Sequence, residues 1–366
     1  MKKKRVIAIY LPQYHPVIEN DKWWGKGFTE WTNVTKAKPL FRNHYQPHLP
    51  SDLGFYDLRV PETREQQANI AKAHGIDGFC YYHYWFNGKR VLERPFNEVI
   101  ESGKPNFPFM LCWANENWTR AWDGGEKEIL LEQKYSEEDD RNHIKYLLSI
   151  FKDERYIKID GKPIFCIYRS TVFPNMKRTI NVWREEAAKV GMNLYLCRME
   201  SFACSGPELL KDGFDAAIDF QPLGKSMIEF GKQRHLWIRI VNKINTYIFN
   251  TKKDRIVDYK KYVDYMCNYP QDNYKIYPCV TPMWDNTPRR QKNRFIMKNS
   301  SPQFYKKWLL SVFSKFNPFS EQENLIFINA WNEWAEGNHL EPDSKWGRMY
   351  LEATKEVVED ANKIIE

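Results

Sequence analysis

Eight short apolar runs, spread along nearly the whole chain, constrain its fold more than any other feature. They are VIAIYL (Val6–Leu11), GFCYYHY (Gly78–Tyr84), PFMLCWA (Pro108–Ala114), PIFCIY (Pro163–Tyr168), LYLCRM (Leu194–Met199), AAIDF (Ala216–Phe220), KIYPCV (Lys275–Val280) and LIFINA (Leu325–Ala330). Continuous apolar sequence suits parallel strands covered on both faces. Between the runs lie amphipathic segments with helix punctuation. PETREQQANIAKAHG has Pro61 near its start and Gly75 at its end, and SEEDDRNHIKYLLSIFKD opens on Ser136 and an acidic first turn. Strands alternating with helices predict an α/β fold, a (β/α)8 TIM barrel in preference to a doubly wound sheet. The 366 residues contain no internal repeat or low-complexity linker, so a single domain over 1–366 is expected.

One segment breaks the rhythm. Residues 222–273, between the sixth and seventh runs, carry ten Lys and Arg against five Asp and Glu, a large part of the formal net charge of +8. Within it, HLWIRIVNKINTYIF places Trp237, Ile240, Val241, Ile244 and Ile248 at helical spacing. Two readings stay open: a helix docked on the barrel with a solvated basic face, or a helix resting on an anionic membrane surface or lipid-linked glycan. No nucleic-acid motif accompanies it, so no nucleic-acid partner is expected.

The N-terminal MKKKRVIAIYLPQYHP is basic, but its apolar stretch is short and Pro12 interrupts it, so it reads as a first strand and not a signal peptide. Five of the seven cysteines lie in or beside the apolar runs and no CxxC pair occurs. Buried, reduced thiols and a cytoplasmic address follow as expectations.

A barrel of this kind places its site at the C-terminal ends of the strands. Those ends are polar throughout and most add an aromatic, in a chain that is 16% aromatic with 14 Trp and 21 Tyr. Amides, carboxylates and indoles facing one cleft are what a carbohydrate needs, since hydroxyls require paired donors and acceptors and ring faces require stacking. The candidate contacts are Tyr14, His15, Trp31, His83, Tyr84, Trp113, Asn115, Glu116, Trp118, Tyr168, Trp284, Asp285, Trp331, Asn332 and Trp334. A glycine-rich phosphate loop and a GxSxG elbow are both missing. His15 and His83 lack close ligand spacing, so neither a metal nor a cofactor is expected.

The last strand runs into INAWNEWAEGNHLEPD, where Glu333 and Glu336 stand three residues apart between indoles. On a helical turn both project to one side. Two carboxylates in an indole-lined pocket do not ionise independently, so one pKa should rise, giving the acid and base that glycosidic cleavage uses.

Four stretches carry a family resemblance: YLPQYHP (Tyr10–Pro16), WWGKGFTEWTNV (Trp23–Val34), CWANENWTRAWDG (Cys112–Gly124) and NAWNEWAEGNHLEPD (Asn329–Asp343). Together they resemble the WbsX-like family of bacterial polysaccharide clusters, over nearly the whole chain. That family is similar to glycoside hydrolase family 99, the endo-α-mannosidases and endo-mannanases, and NEWAEG resembles the latter's NEWxEG. The resemblance implies a retaining, endo-acting glycoside hydrolase on α-linked polysaccharide that works through a 1,2-anhydro sugar. Glu333 would deprotonate the sugar 2-hydroxyl and Glu336 would protonate the departing oxygen. Ala335 departs from family 99, which often has His there, at a position that bears on mannose recognition. WbsX-like proteins have also carried the label of glycosyltransferases in surface-polysaccharide assembly, and a non-catalytic glycan-binding barrel is a third reading.

Overall fold

The computed structural model describes residues 3–120, 125–201, 203–233 and 254–363. Nine parallel strands form one sheet that closes on itself: β1 (Arg5–Tyr10), β2 (Gly78–His83), β3 (Phe109–Trp113), β4 (Lys162–Ile167), β5 (Tyr195–Glu200), β6 (Ala216–Asp219), β7 (Ile276–Tyr277), β8 (Cys279–Val280) and β9 (Leu325–Ile328). Each expected run contributes, and the chain is a (β/α)8 barrel. The seventh run contributes twice, because Pro278 has no N–H to offer a ladder. Before it, β7 pairs with β6 (Ala217 beside Ile276); after it, β8 pairs with β9 (Cys279 beside Phe327). Phe327 and Asn329 donate to the Pro278 and Val280 carbonyls at 2.8 and 2.9 Å, which completes the ring.

The apolar runs are continuous because almost every strand residue is buried on one face or the other. In β3, β5 and β9 all are. Cys80, Cys112, Cys166 and Cys197 come from four successive strands and are buried; all seven cysteines are free thiols. Helices Pro61–Ala73, Arg94–Ser102, Glu137–Ile150, Met176–Ala188, Tyr259–Met266, Pro302–Lys315 and Met349–Lys363 cover the outside. Among the described residues no helix is long and apolar enough to cross a membrane.

The basic segment after β6 is not a simple insert. Its helix Tyr259–Met266 is part of the barrel's outer layer, with Tyr259 and Tyr262 packed on Trp308 at 6.4 and 5.6 Å between ring centroids. Its strand Arg255–Asp258 pairs in parallel with Phe295–Lys298 above the strand ends. The run HLWIRIVNKINTYIF lies outside the described residues. A second addition, the antiparallel ribbon of Trp118–Arg120 and Gly125–Leu131, follows β3.

Candidate active site

After β9 the chain forms a two-residue strand, Asn332–Glu333, paired with Asn338–His339, and between them a single 3-10 turn, Trp334–Glu336. Glu333 caps that turn and Glu336 ends it, and both reach the Arg289 guanidinium, so the two acids share a side. Gly337 closes the turn at φ +52°, where a Cβ would stand 3.0 Å from the Asp285 carbonyl oxygen. The Asp285 N–H in turn donates to the Glu336 carbonyl at 2.6 Å.

One guanidinium joins the two acids. Arg289 places Nη2 2.8 Å from Glu333 Oε2, Nη1 2.9 Å from Glu336 Oε1 and Nε 3.0 Å from Glu30 Oε2. It arrives on the loop after β8, which is folded by Asn286: the side-chain oxygen of Asn286 accepts from Phe295 N at 2.8 Å and its carbonyl from Arg289 N at 3.2 Å. Glu30 begins the helix Glu30–Lys36, whose N-terminus favours a carboxylate, and is wholly buried. The Glu336 side chain is 23% exposed and that of Glu333 only 6%, so the pair is graded from the open cleft inward.

Three carboxylates around one cation leave two uncompensated negative charges in a buried place, and that favours holding a proton. Burial, the largest cause, pushes the Glu333 carboxyl up to about 8; Arg289 opposes this, while Glu336 and Glu30 add to it. Burial likewise raises Glu30 against the pull of Arg289. Burial works against the Arg289 charge, yet the three carboxylates together carry its pKa well above the usual value. Protons in such a group belong to the cluster and move between its members.

The acids open onto a cleft of about 1100 Å³. Trp23, Trp24 and Trp118 line it, with Tyr82, Tyr84, Tyr168, Phe220, Trp284 and Phe295, and its polar lining includes Gln13, Asn20, Glu116, Asn117, Arg255 and Arg290. Buried polar atoms are nearly always paired. Here the Trp284 indole N–H and both amide atoms of Asn20 are buried with no hydrogen-bond partner among the described residues. Such atoms suit the hydroxyls of a sugar. Farther along, Glu116 Oε1 accepts from Arg169 Nη1 at 2.6 Å; burial raises the Glu116 pKa against Arg169, and Glu336 acts on it at range.

Of the residues expected from the sequence, Glu333, Glu336, Tyr84, Asn115, Glu116, Trp118, Tyr168 and Trp284 line this cleft. Asn115 is fully buried there and ties loops together: its oxygen accepts from Arg169 N at 2.8 Å and its nitrogen donates to the Arg169 carbonyl at 2.9 Å. The others do not line the cleft, and in most cases the cause is visible. Tyr14, Trp31, Asn332 and Trp334 lie behind the turn and hold it. The Asn332 side chain bonds Leu11 N and O at 2.7 and 3.0 Å, and the Tyr14 hydroxyl donates to the Asn332 carbonyl and accepts from Trp334 N. Trp334 donates to Glu341 Oε2 at 2.6 Å, an acceptor it shares with the Tyr56 hydroxyl at 2.8 Å, while Gln67 donates to Glu341 Oε1 at 2.6 Å. The Trp31 indole donates to the Tyr56 carbonyl at 2.8 Å.

Trp331 is core, its ring 5.1 Å from that of Phe79. Asp285 braces the far side of the turn, its Oδ2 bonded to His44 Nε2 at 2.5 Å and Gln46 Nε2 at 2.8 Å. His83 faces the outer helices, 2.9 Å from His143, where burial pulls its pKa down to about 3. Trp113 packs on the same His143 ring at 4.4 Å and donates to the Trp85 carbonyl at 3.1 Å. His15 is buried off the cleft, its pKa drawn down to about 4 chiefly by that burial.

Sequence reasoning missed Arg289 and Glu30. The signals were there: TPRRQ (Thr287–Gln291) begins two residues after Asp285, and Glu30 precedes Trp31 in GFTEWTNV. It also missed Asn20, Trp23 and Trp24, which enter the cleft on the helix Ile18–Trp24.

Residues 6–354 match the family described as glycosyltransferase WbsX. The uncharacterized protein WxcX of Xanthomonas campestris pv. campestris, in two strains, is 38% identical over 355 residues, 96% of this chain. The chain spans about half the length of these curated relatives (49%). Among solved structures, the GH99 endo-alpha-mannosidase of Bacteroides thetaiotaomicron superposes with a TM-score of 0.58 at 13% identity over 99% of both chains. The same type of enzyme in complex with bis-tris-propane gives 0.56 at 14% identity. A glycoside hydrolase-like protein gives 0.58 at 14% identity, covering 98% of this chain and 94% of the other. At such identities the likeness is one of fold.

Proposed function

The chain belongs to the WbsX glycosyltransferase family, and from that premise we propose that it is a retaining, endo-acting glycoside hydrolase of α-linked bacterial polysaccharide, with Glu333 and Glu336 as its working acids. The observation that carries the reading is Arg289 bridging both carboxylates at the floor of an indole-lined cleft. An arginine so placed fixes both acids with respect to one substrate while leaving each a second oxygen to use. The barrel likeness to enzymes that cleave α-mannosides supports the same class, with mannose-containing polymers as the first substrates to try. The seven free thiols support a cytoplasmic address.

The resemblance to glycoside hydrolase family 99 supplies the roles, and the grading of the pair is compatible with them. A group that takes a proton from a sugar hydroxyl needs high proton affinity, because transfer efficiency rises as the base strengthens. Burial gives Glu333 that affinity, which fits it to deprotonate the 2-hydroxyl. The oxygen then attacks the anomeric carbon and forms a 1,2-anhydro sugar, while Glu336, nearer the open cleft, gives its proton to the departing oxygen. In the second half Glu336 takes a proton from water as that water opens the epoxide, and Glu333 returns its proton to the 2-oxygen. Tyr84, Trp118, Tyr168 and Trp284, with Glu116, would hold the flanking sugars.

The test is release of reducing ends from defined α-linked oligosaccharides without any nucleotide sugar. Glu336→Gln should lower turnover by ~10²–10⁴; undiminished turnover removes the assignment. A transferase in polysaccharide assembly is the second reading, favoured by the family's description and by Arg255 and Arg290 in the cleft, whose guanidiniums suit a diphosphate. Sugar transfer that depends on a nucleotide donor, with no hydrolysis, would establish it instead.

A further inference from the structure

The hairpin that carries the acids also carries, on its return strand, a cluster that the proposed reaction does not use. His339 sits across from Asn332, and its ring stacks on Trp334 with centroids 3.7 Å apart. His48 Nδ1 lies 3.0 Å from His339 Nε2, and Asp343 Oδ2 lies 3.8 Å from that same nitrogen. All three side chains are buried, and the three atoms fall within 4.8 Å of one another.

Among the described residues, hydrogen bonding leaves one atom of this group unsatisfied. The Glu341 carbonyl, 3.0 Å from His339 Nδ1, can only accept, so Nδ1 holds the ring proton and Nε2 presents a lone pair. His48 Nδ1–H can point at that lone pair. Asp343 Oδ1 accepts from the backbone N–H groups of Lys345 and Trp346 at 2.9 and 2.6 Å, but Oδ2 has no hydrogen-bond partner among the described residues. The Lys345 ammonium rests over the Tyr45 and Trp346 rings, 4.4 and 4.8 Å from their centroids. A buried carboxylate oxygen therefore faces an imidazole lone pair, an arrangement that a cation between them would turn from repulsive to attractive.

We propose that His48 Nδ1, His339 Nε2 and Asp343 Oδ2 form a zinc site behind the turn that bears the acids. Two imidazoles and a carboxylate suit Zn²⁺, and three protein ligands leave one tetrahedral position. The carbonyl on His339 Nδ1 is the orienting bond that metal-bound imidazoles make. Both rings are buried, and an imidazole binds a metal through its unprotonated nitrogen. His48 binds by moving its proton from Nδ1 to Nε2, with no net change in charge. The ion would tie the loop at His48 to the hairpin and so stiffen the base on which Trp334 stacks. Sequence spacing does not reveal the site, since His48 and His339 are 291 positions apart.

The experiment uses the full chain without a histidine tag, stripped with EDTA, mixed with one equivalent of zinc sulfate and desalted. Zinc is then counted by mass spectrometry and Tm is read with and without the metal. The expected result is about one zinc per chain and a rise of several degrees in Tm. Asp343→Asn keeps the Oδ1 acceptor and removes the anionic ligand, and His48→Gln removes an imidazole; each should weaken zinc binding at least ~10-fold while near-UV circular dichroism stays native. Retention of no zinc by the folded wild type overturns the site, leaving a histidine–histidine hydrogen bond. So does binding in both variants as tight as in wild type. Should a variant fail to fold, cobalt(II) in the wild type decides: a tetrahedral visible band supports the site and its absence overturns it.

Discussion

The indoles that neighbour the acids in sequence and the indoles that neighbour them in space are different sets. Trp331 and Trp334 flank Glu333 in the chain, yet both are buried behind the turn, one in the core and one stacked on His339 and bonded to Glu341. Trp23, Trp24, Trp118 and Trp284 come from three other loops and face the cleft. The first set fixes where the carboxylates stand; the second offers surfaces to a substrate. A motif with alternating acids and tryptophans is thus a positioning device as much as a binding one, since the turn that brings two carboxylates to one guanidinium buries the indole between them.

Substitutions on the two sides should separate these roles. The largest effect is expected where the sets meet. Arg289→Met leaves Glu30, Glu333 and Glu336 without their shared cation, and should cost about 3–5 kcal/mol in denaturant unfolding and abolish turnover. Unchanged stability would mean that the carboxylates are not held as a group. Behind the turn, Trp334→Phe strips one of the two donors from Glu341 Oε2, and should cost about 1–3 kcal/mol with a fall in kcat. On the open side, Trp118→Ala should leave Tm unchanged and raise KM by ~3–10-fold, from a stacking contribution of about 0.5–1.5 kcal/mol. If Trp118→Ala destabilised the fold while Trp334→Phe affected KM alone, the division would be reversed.

A pH profile sharpens the same contrast. Because burial raises Glu333 to about 8, its base form is the minor one at neutral pH and grows as pH rises. On the assigned roles the active form keeps one proton on the pair, for Glu336 to donate, so kcat/KM should fall as pH passes through about 8 and that last proton is lost. A limb that turns over near pH 4.5 instead would place the ionisation on a solvated carboxylate. Stability should move the same way: a carboxyl with a raised folded pKa contributes fully below its unfolded value near 4.5, and that contribution is lost as pH passes through about 8.

The barrel was legible in the sequence because strands buried on both faces leave short continuous apolar runs, and here eight of them alternate with amphipathic helical segments. Only KIYPCV misled slightly, since a single run hid two pairings divided at Pro278. The acid pair was legible because its spacing is local. Arg289 and Glu30 were not, because a salt bridge that spans 259 positions leaves no periodic trace. His83 and Trp113 were misplaced for a related reason: at a strand end a one-residue step turns a side chain from the cleft to the outer helices.

A barrel closed by two-residue strands on either side of a proline is a ring with a clasp. The clasp sits at the root of the loop that presents Arg289, so a brief release there would draw the guanidinium from both acids at once and leave the rest of the wall intact. Exchange of the Phe327 and Asn329 amides, which fasten onto Pro278 and Val280, would gauge how often that happens.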